Sequence, residues 1–146
     1  MEGRAMTAAN TDKQLIGCSV SDLQLYAAAC LEAYCLRQGI AHPAVDDLIK
    51  HLEGYPEKDR LLAWERAGAQ LALNGRGDDL PASLVALIAP EDIETFSSIV
   101  DSAVEVGMVD LYGGATDLPV IFMGKIIAIL RRNLIDLPEL KGAAIV

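Results

Sequence analysis

The sequence is poor in aromatic residues and in basic residues. Aromatic side chains make up 5% of the 146 residues, and 12 lysines and arginines face 21 aspartates and glutamates, so the formal net charge is −9. Because strands favour aromatic and β-branched side chains, the shortage of aromatics argues against a β-rich fold. The shortage of bases argues against direct binding to nucleic acid or to an anionic membrane, since both are polyanions.

Cysteines are also few, and no hydrophobic run has the composition of a membrane span. Three cysteines are an odd number in a chain large enough to build its own core, which favours reduced thiols over a disulfide framework. The most apolar stretch, 118–135, contains one lysine and two arginines. Residues 15–18 match the box that precedes a lipidated bacterial cysteine, but no apolar export segment comes before them. We therefore expect a soluble cytoplasmic protein.

The residues that dominate instead, alanine and leucine, favour helices. The chain has 21 alanines and 20 leucines, and both lose little conformational freedom on entering a helix. Hydrophobic spacing and capping residues predict an all-α fold, a compact bundle of five to six helices. The predicted helices span 21–38, 43–52, 57–73, 81–88, 91–106 and a segment from 118–119 to a point before Pro138. The first and last are apolar nearly all round, so we expect them to be central.

Local signals place the ends of these helices and of the domain. Ser21 with Gln24 three residues later matches a capping box, and Gly39 matches the C-terminal stop of the same helix. Thr116 or Asp117 is expected to cap the last helix. Small polar residues predict a flexible arm over residues 1–13, followed by a single helical domain over residues 14–146.

Negative charge is concentrated in one part of the chain. Residues 77–124 contain nine acids and no lysine or arginine, so the rest of the chain is neutral overall. On the predicted helix 91–106, four acids fall within about 80° of one another, opposite an apolar face. They are Glu91, Glu94, Asp101 and Glu105. Neighbouring carboxylates repel each other by a few tenths of a kcal/mol, and this cost indicates a face that a basic partner covers.

We therefore expect a non-enzymatic binding module that masks a basic surface on another protein, in the manner of immunity proteins that neutralise nucleic-acid-targeting toxins. Carboxylates compete there with phosphates, and complementary charge speeds capture. The predicted partner contacts are Asp78, Asp79, Glu91, Glu94, Asp101, Glu105, Asp110 and Asp117. Two other interpretations stay open: the acids pair internally with Lys125, Arg131 and Arg132, or they are solvated and serve only solubility.

Self-association is the alternative function, and metal-dependent catalysis is a third. Mean hydropathy is +0.29, which leaves apolar surface for a homodimer to bury around Ile126, Ile127 and Leu130. Carboxylates on one helix hold a divalent ion only with ligands from a second helix, as in bundles with Glu-x-x-His motifs. No such motif occurs, so we predict no metal and no cofactor.

The remaining reactive side chains predict structural roles and no catalytic residue. His42 and His51 lack the spacing of zinc ligands. His51 is expected near a helix C-terminus, where the dipole favours an imidazolium. Cys30 and Cys35 are read as small buried hydrophobes, and Trp64 as a core residue.

Overall fold

The computed structural model describes residues 15–140 and places six α-helices in that range. The helices are α1 (Val20–Gln38), α2 (Pro43–Glu53), α3 (Leu61–Ala69), α4 (Ala82–Val85), α5 (Ile93–Met108) and α6 (Leu118–Arg132). Short 3₁₀ turns at Lys58–Arg60 and Pro90–Asp92 precede α3 and α5. No strand occurs in the described range, and the predicted all-α bundle is confirmed. The predicted arm over residues 1–13 lies outside the described residues.

Helix α1 lies at the centre of the bundle, as its apolar circumference predicts. It packs against α2, α5 and α6, and nine of its residues are buried. Leu25 and Leu36 are nevertheless 45% and 76% exposed. The apolar circumference therefore overstates how completely α1 is covered.

The ends of α1 show one correct prediction and one error. Gly39 takes the left-handed conformation, with φ of 73°, and its N–H donates to the carbonyls of Cys35 and Leu36. The predicted capping box is wrong, because the Oγ of Ser19 accepts the capping hydrogen bond from the Asp22 N–H at 3.1 Å. Gln24 is fully buried, and its Nε2 donates to the Ala103 carbonyl of α5 at 2.8 Å. A contact between helices thus replaces the local one.

Helices α5 and α6 form the largest helix pair of the core. Eight residues of α5 are buried, among them Phe96 and Ile99. Ile126, Ile127 and Leu130 of α6 are at most 3% exposed, so the predicted homodimer surface at these three residues is wrong. A helix that is apolar nearly all round does not reveal which of its sides faces its neighbours. The exposed apolar residues of α6 are Leu118 and Ile121.

Helix α3 is shorter than predicted and lies at the edge of the bundle. It ends at Ala69, whose carbonyl accepts a hydrogen bond of 3.3 Å from the Asn74 side chain. Leu73 is buried although it lies outside the helix, which explains why its apolar character extended the predicted helix. Within α3 itself only Gly68 is buried.

The length and hydropathy of the helices bear on whether any of them could span a membrane. Over residues 15–140, no helix combines the length and the apolar character that crossing a bilayer requires.

Candidate functional site

The acids of α5 border a shallow groove between α5 and α6. Its volume is about 390 Å³, and Glu94, Asp101 and Glu105 lie along its α5 side. Phe122 and Lys125 contribute from α6. The apolar face of α5 packs into the core, so its acids are turned toward solvent as the helical spacing predicts. We call this cleft the acidic groove.

Asp78 and Asp79 line a second, smaller pocket of about 220 Å³ next to the acidic groove. This loop pocket lies between α5 and the segment 72–80. Asp101 and Ser97 line both cavities. Five of the eight predicted contact residues therefore border adjoining cavities that meet at Asp101. These five residues, Asp78, Asp79, Glu94, Asp101 and Glu105, are called the acidic face.

The loop that carries Asp78 and Asp79 has a defined conformation. The buried Asn74 side chain donates to Asp78 Oδ2 at 2.7 Å and accepts from the Arg76 N–H at 2.9 Å. Gly75 has a φ of 65°, and a Cβ there would lie 2.6 Å from Val104 Cγ2 of α5. Only glycine fits both the backbone conformation and this close approach. The loop is thereby held against α5, which brings Asp78 next to the helix acids.

Asp101 is the carboxylate most affected by its surroundings. Asp101 is exposed, but the neighbouring protein atoms exclude part of its hydration shell, and this desolvation raises its pKa because it disfavours the charged form. Among residues 15–140 the one ion pair within 4.0 Å joins Arg76 to Glu65, at 2.8 Å. No cation within that range therefore neutralises Asp101 directly.

The basic residues of α6 do not form ion pairs with the acidic face in the described part of the chain. Lys125 borders the acidic groove, but its Nζ lies over the Phe122 ring, 4.8 Å from the centroid. Arg131 and Arg132 are exposed. Internal pairing at contact distance, one of the interpretations left open by the sequence, is absent there. Lys125, one of the three bases expected from the sequence to approach the acids, still supplies one positive charge to the groove.

The other three predicted contact residues lie apart from the two cavities. Glu91 belongs to the 3₁₀ turn before α5, so the α-helical spacing does not apply to it. Asp110 accepts hydrogen bonds from the N–H and the Oγ1 of Thr116, at 2.8 and 2.6 Å. The same hydroxyl accepts from the Leu118 N–H at 3.0 Å, so Thr116 caps α6. Asp117 is exposed and makes no capping hydrogen bond.

Cys30, Cys35 and the two histidines have structural surroundings in the described range. Burial raises the pKa of the Cys30 and Cys35 thiols to about 12, so both are inert thiols. The expected imidazolium at His51 is wrong, because burial and the nearby Arg76 lower its pKa. His42 caps α2 by accepting from the Ala44 N–H at 3.0 Å. Among residues 15–140, no group of three or more His, Cys, Asp or Glu side chains is placed to hold a metal ion.

Sequence reasoning missed the residues that join the acids into one surface. Ser97 lies on α5 between the two cavities, and Phe122 lies across the groove on α6. Neither residue carries a charge or belongs to a motif, so only the packing of α5 against α6 reveals them. Comparison with protein-family models, with curated proteins and with solved structures found no match. Functional conclusions for this chain therefore rest on its own residues.

Proposed function

We propose that this chain is a non-enzymatic protein that binds a basic surface of another protein through the acidic face. The observation that carries the proposal is the meeting of two acid-lined cavities at Asp101, an exposed carboxylate that has no ion pair in the described range. A lysine or arginine of a partner supplies the missing positive charge. Charge-assisted hydrogen bonds to such a group are stronger than neutral ones.

In this proposal the partner is a nucleic-acid-targeting toxin, and the chain acts in the cytoplasm as its neutraliser. A net charge of −9 favours capture of a basic surface by long-range attraction. Carboxylates occupy the positions at which the partner otherwise holds phosphates. The free, buried thiols of Cys30 and Cys35 suit a reducing compartment.

Capture from the native cell lysate at low salt tests the proposal. The variant Glu94→Gln/Asp101→Asn/Glu105→Gln removes three carboxylates from the acidic groove. A matched control removes three exposed carboxylates of α2, through Asp46→Asn, Asp47→Asn and Glu53→Gln. Both variants change the net charge equally, so any difference between them reflects position.

We expect the wild type and the α2 control to retain the same basic protein. The acidic-groove variant retains at least about tenfold less of it, because each close charge pair across an interface contributes on the order of 1 kcal/mol or more. Equal retention by the two variants would mean that net charge alone drives capture. Retention of no basic protein by the wild type would also contradict the proposal.

Self-association is the second candidate function, and it would use a different surface of α6 from the one expected from the sequence. Leu118 and Ile121 are 40% and 50% exposed and lie one turn apart on α6. This pair, rather than the buried residues further along α6, is the apolar surface of that helix that a second copy would cover. Sedimentation of the wild type beside Leu118→Ser/Ile121→Ser tests it. A wild type that stays monomeric at high micromolar concentration would rule it out.

A further inference from the structure

Helix α3 is held to the bundle by a polar and aromatic cluster. Only Gly68 of α3 is buried. The Trp64 ring stacks on the His51 ring of α2, with centroids 4.4 Å apart and planes 7° from parallel. The Trp64 Nε1–H donates to the His51 carbonyl at 2.9 Å, and Tyr55 meets the indole edge-on at 5.1 Å. Both the stacking and the hydrogen bond of Trp64 thus end on His51.

The side chains of His51 and Arg76 both approach Gly68. A Cβ at this position would lie 2.6 Å from His51 Nε2 and 2.7 Å from Arg76 Nη2. His51 Nε2 is buried, and within the described residues it has no hydrogen-bond partner. The neutral ring tolerates this because one ring nitrogen carries no proton. An added proton at this nitrogen would find no acceptor there.

Among the described residues, the carboxylates around His51 are too few to neutralise a second cation beside Arg76. Arg76 faces the ring from the loop after α3, and its Nη1 is paired with Glu65 of α3 at 2.8 Å. Tyr55 borders the indole from the segment after α2, and burial, followed by the Asp110 charge, raises the pKa of Tyr55. A protonated His51 would therefore share with Arg76 the single carboxylate that α3 provides. Burial and, to a lesser extent, the charge of Arg76 lower the pKa of His51.

We infer that His51 is a pH-sensitive latch whose protonation loosens the attachment of α3 to the bundle. The imidazolium of His51 and the guanidinium of Arg76 would both lie beside Gly68 and repel each other. The imidazolium would also be more stable in water than in this buried position. Withdrawal of the charged ring into water breaks the stacking, against the attraction of the imidazolium to the indole face. Trp64 then keeps its hydrogen bond to the His51 backbone carbonyl and its edge contact with Tyr55. The inference is independent of the partner-binding proposal, since the cluster shares no residue with the acidic face.

The sign of the effect follows from the direction of the pKa shift. His51 binds a proton more weakly in the folded state than in the unfolded or released state. Its contribution to the stability of the attached state is therefore undiminished above the ordinary pKa of 6.5 and is lost as the pH falls below that value. Each unit of difference makes release about tenfold more favourable at low pH.

The sole tryptophan provides a direct signal for the latch. Trp64 emission of the full chain is recorded from about pH 8 to about pH 5, the range in which histidine titrates. Hydrogen exchange of the α3 amides is measured at both limits and corrected for the intrinsic rate. We expect a red shift with a midpoint below 6.5, and α3 amides that exchange faster at the acidic limit than at about pH 8 while α5 amides keep their protection.

Two variants make the test specific. His51→Gln cannot protonate, so it abolishes the transition, whereas His42→Gln, at the opposite end of α2, retains it. If His51→Gln fails to fold, Arg76→Gln provides the test instead. This variant removes the cation that faces His51, so the pH midpoint of the Trp64 emission change should move upward. A transition that survives in His51→Gln overturns the inference. An indole signal that titrates while α3 exchange stays constant also overturns it.

Discussion

Helices α5 and α3 differ in what holds them to the bundle. Eight residues of α5 are buried in the core, whereas α3 buries only Gly68 and is attached through the rings of Trp64 and His51 and an ion pair. Apolar burial of several side chains contributes on the order of 10 kcal/mol, far more than the repulsion between a few surface acids. A well-anchored helix is thus able to carry an uncompensated acidic surface, while a weakly anchored one responds to a single protonation.

The largest effect is expected from truncating the core side of α5. Phe96 is fully buried, so Phe96→Ala removes the ring and leaves a cavity. We expect the free energy of unfolding to fall by about 3–5 kcal/mol, measured by chemical denaturation. The comparison is Leu62→Ala on α3, a residue that is 50% exposed, for which the change stays within about 0.5 kcal/mol. Similar losses for both variants would contradict the contrast between the helices.

A smaller effect is expected where α3 meets the bundle. Gly68→Ala places a methyl group 2.6 Å from His51 Nε2 and 2.7 Å from Arg76 Nη2. The stacked ring has little room to move, so we expect a loss of about 1–3 kcal/mol in the free energy of unfolding. Hydrogen exchange locates the damage: the α3 amides lose protection and the α5 amides keep theirs. Equal loss of protection in both helices would show that α3 is an integral part of the core.

The charged side of α5 should tolerate neutralisation without a loss of stability. Asp101→Asn removes an exposed carboxylate whose pKa desolvation raises in the folded state. Its unfavourable contribution is present above that raised pKa and disappears as the pH falls below 3.8, where the carboxyl is protonated in both states. Thermal unfolding should therefore show a small stabilisation at neutral pH and none near pH 3. Destabilisation of Asp101→Asn at neutral pH would mean that the carboxylate has a structural partner.

The smallest effect concerns the one base that borders the acidic groove. Lys125→Gln removes a positive charge that repels a basic partner, so binding should tighten by about twofold to fivefold, the range typical of exposed charges. Lys50→Gln on α2 is the control, because Lys50 is exposed and lies outside both cavities. Unchanged affinity in Lys125→Gln beside the Lys50 control would place the partner outside the acidic groove.

The sequence predicts those features that depend on neighbouring residues. The left-handed Gly39 after α1 and the proline at the start of α2 are local signals, and both helices have the expected ends there. The capping box at Ser21 failed because Gln24 reaches Ala103 on another helix. Helix α3 ends at Ala69, before its predicted end at residue 73, and the Ala69 carbonyl accepts a hydrogen bond from the Asn74 side chain of the following loop. Local patterns do not contain such long-range or loop contacts.

The candidate site was likewise predictable only where it depends on the spacing of residues along one helix. Helical spacing placed Glu94, Asp101 and Glu105 on one exposed side of α5, and they do border one groove. The approach of the loop acids to Asp101 depends on the close contact of Gly75 with α5. That contact, and the position of Lys125 across the groove, follow from tertiary packing. Residue spacing along the chain cannot supply either.

The salt dependence of partner binding tests the central claim most directly. The dissociation constant of the captured basic protein is measured from low to high salt for the wild type, the acidic-groove variant and the α2 control. Screening weakens charge contacts at an interface as salt rises. We predict a steep dependence for the wild type and the control, and a clearly flatter one for Glu94→Gln/Asp101→Asn/Glu105→Gln. Equal slopes for all three proteins would contradict the assignment of the acidic face as the binding surface.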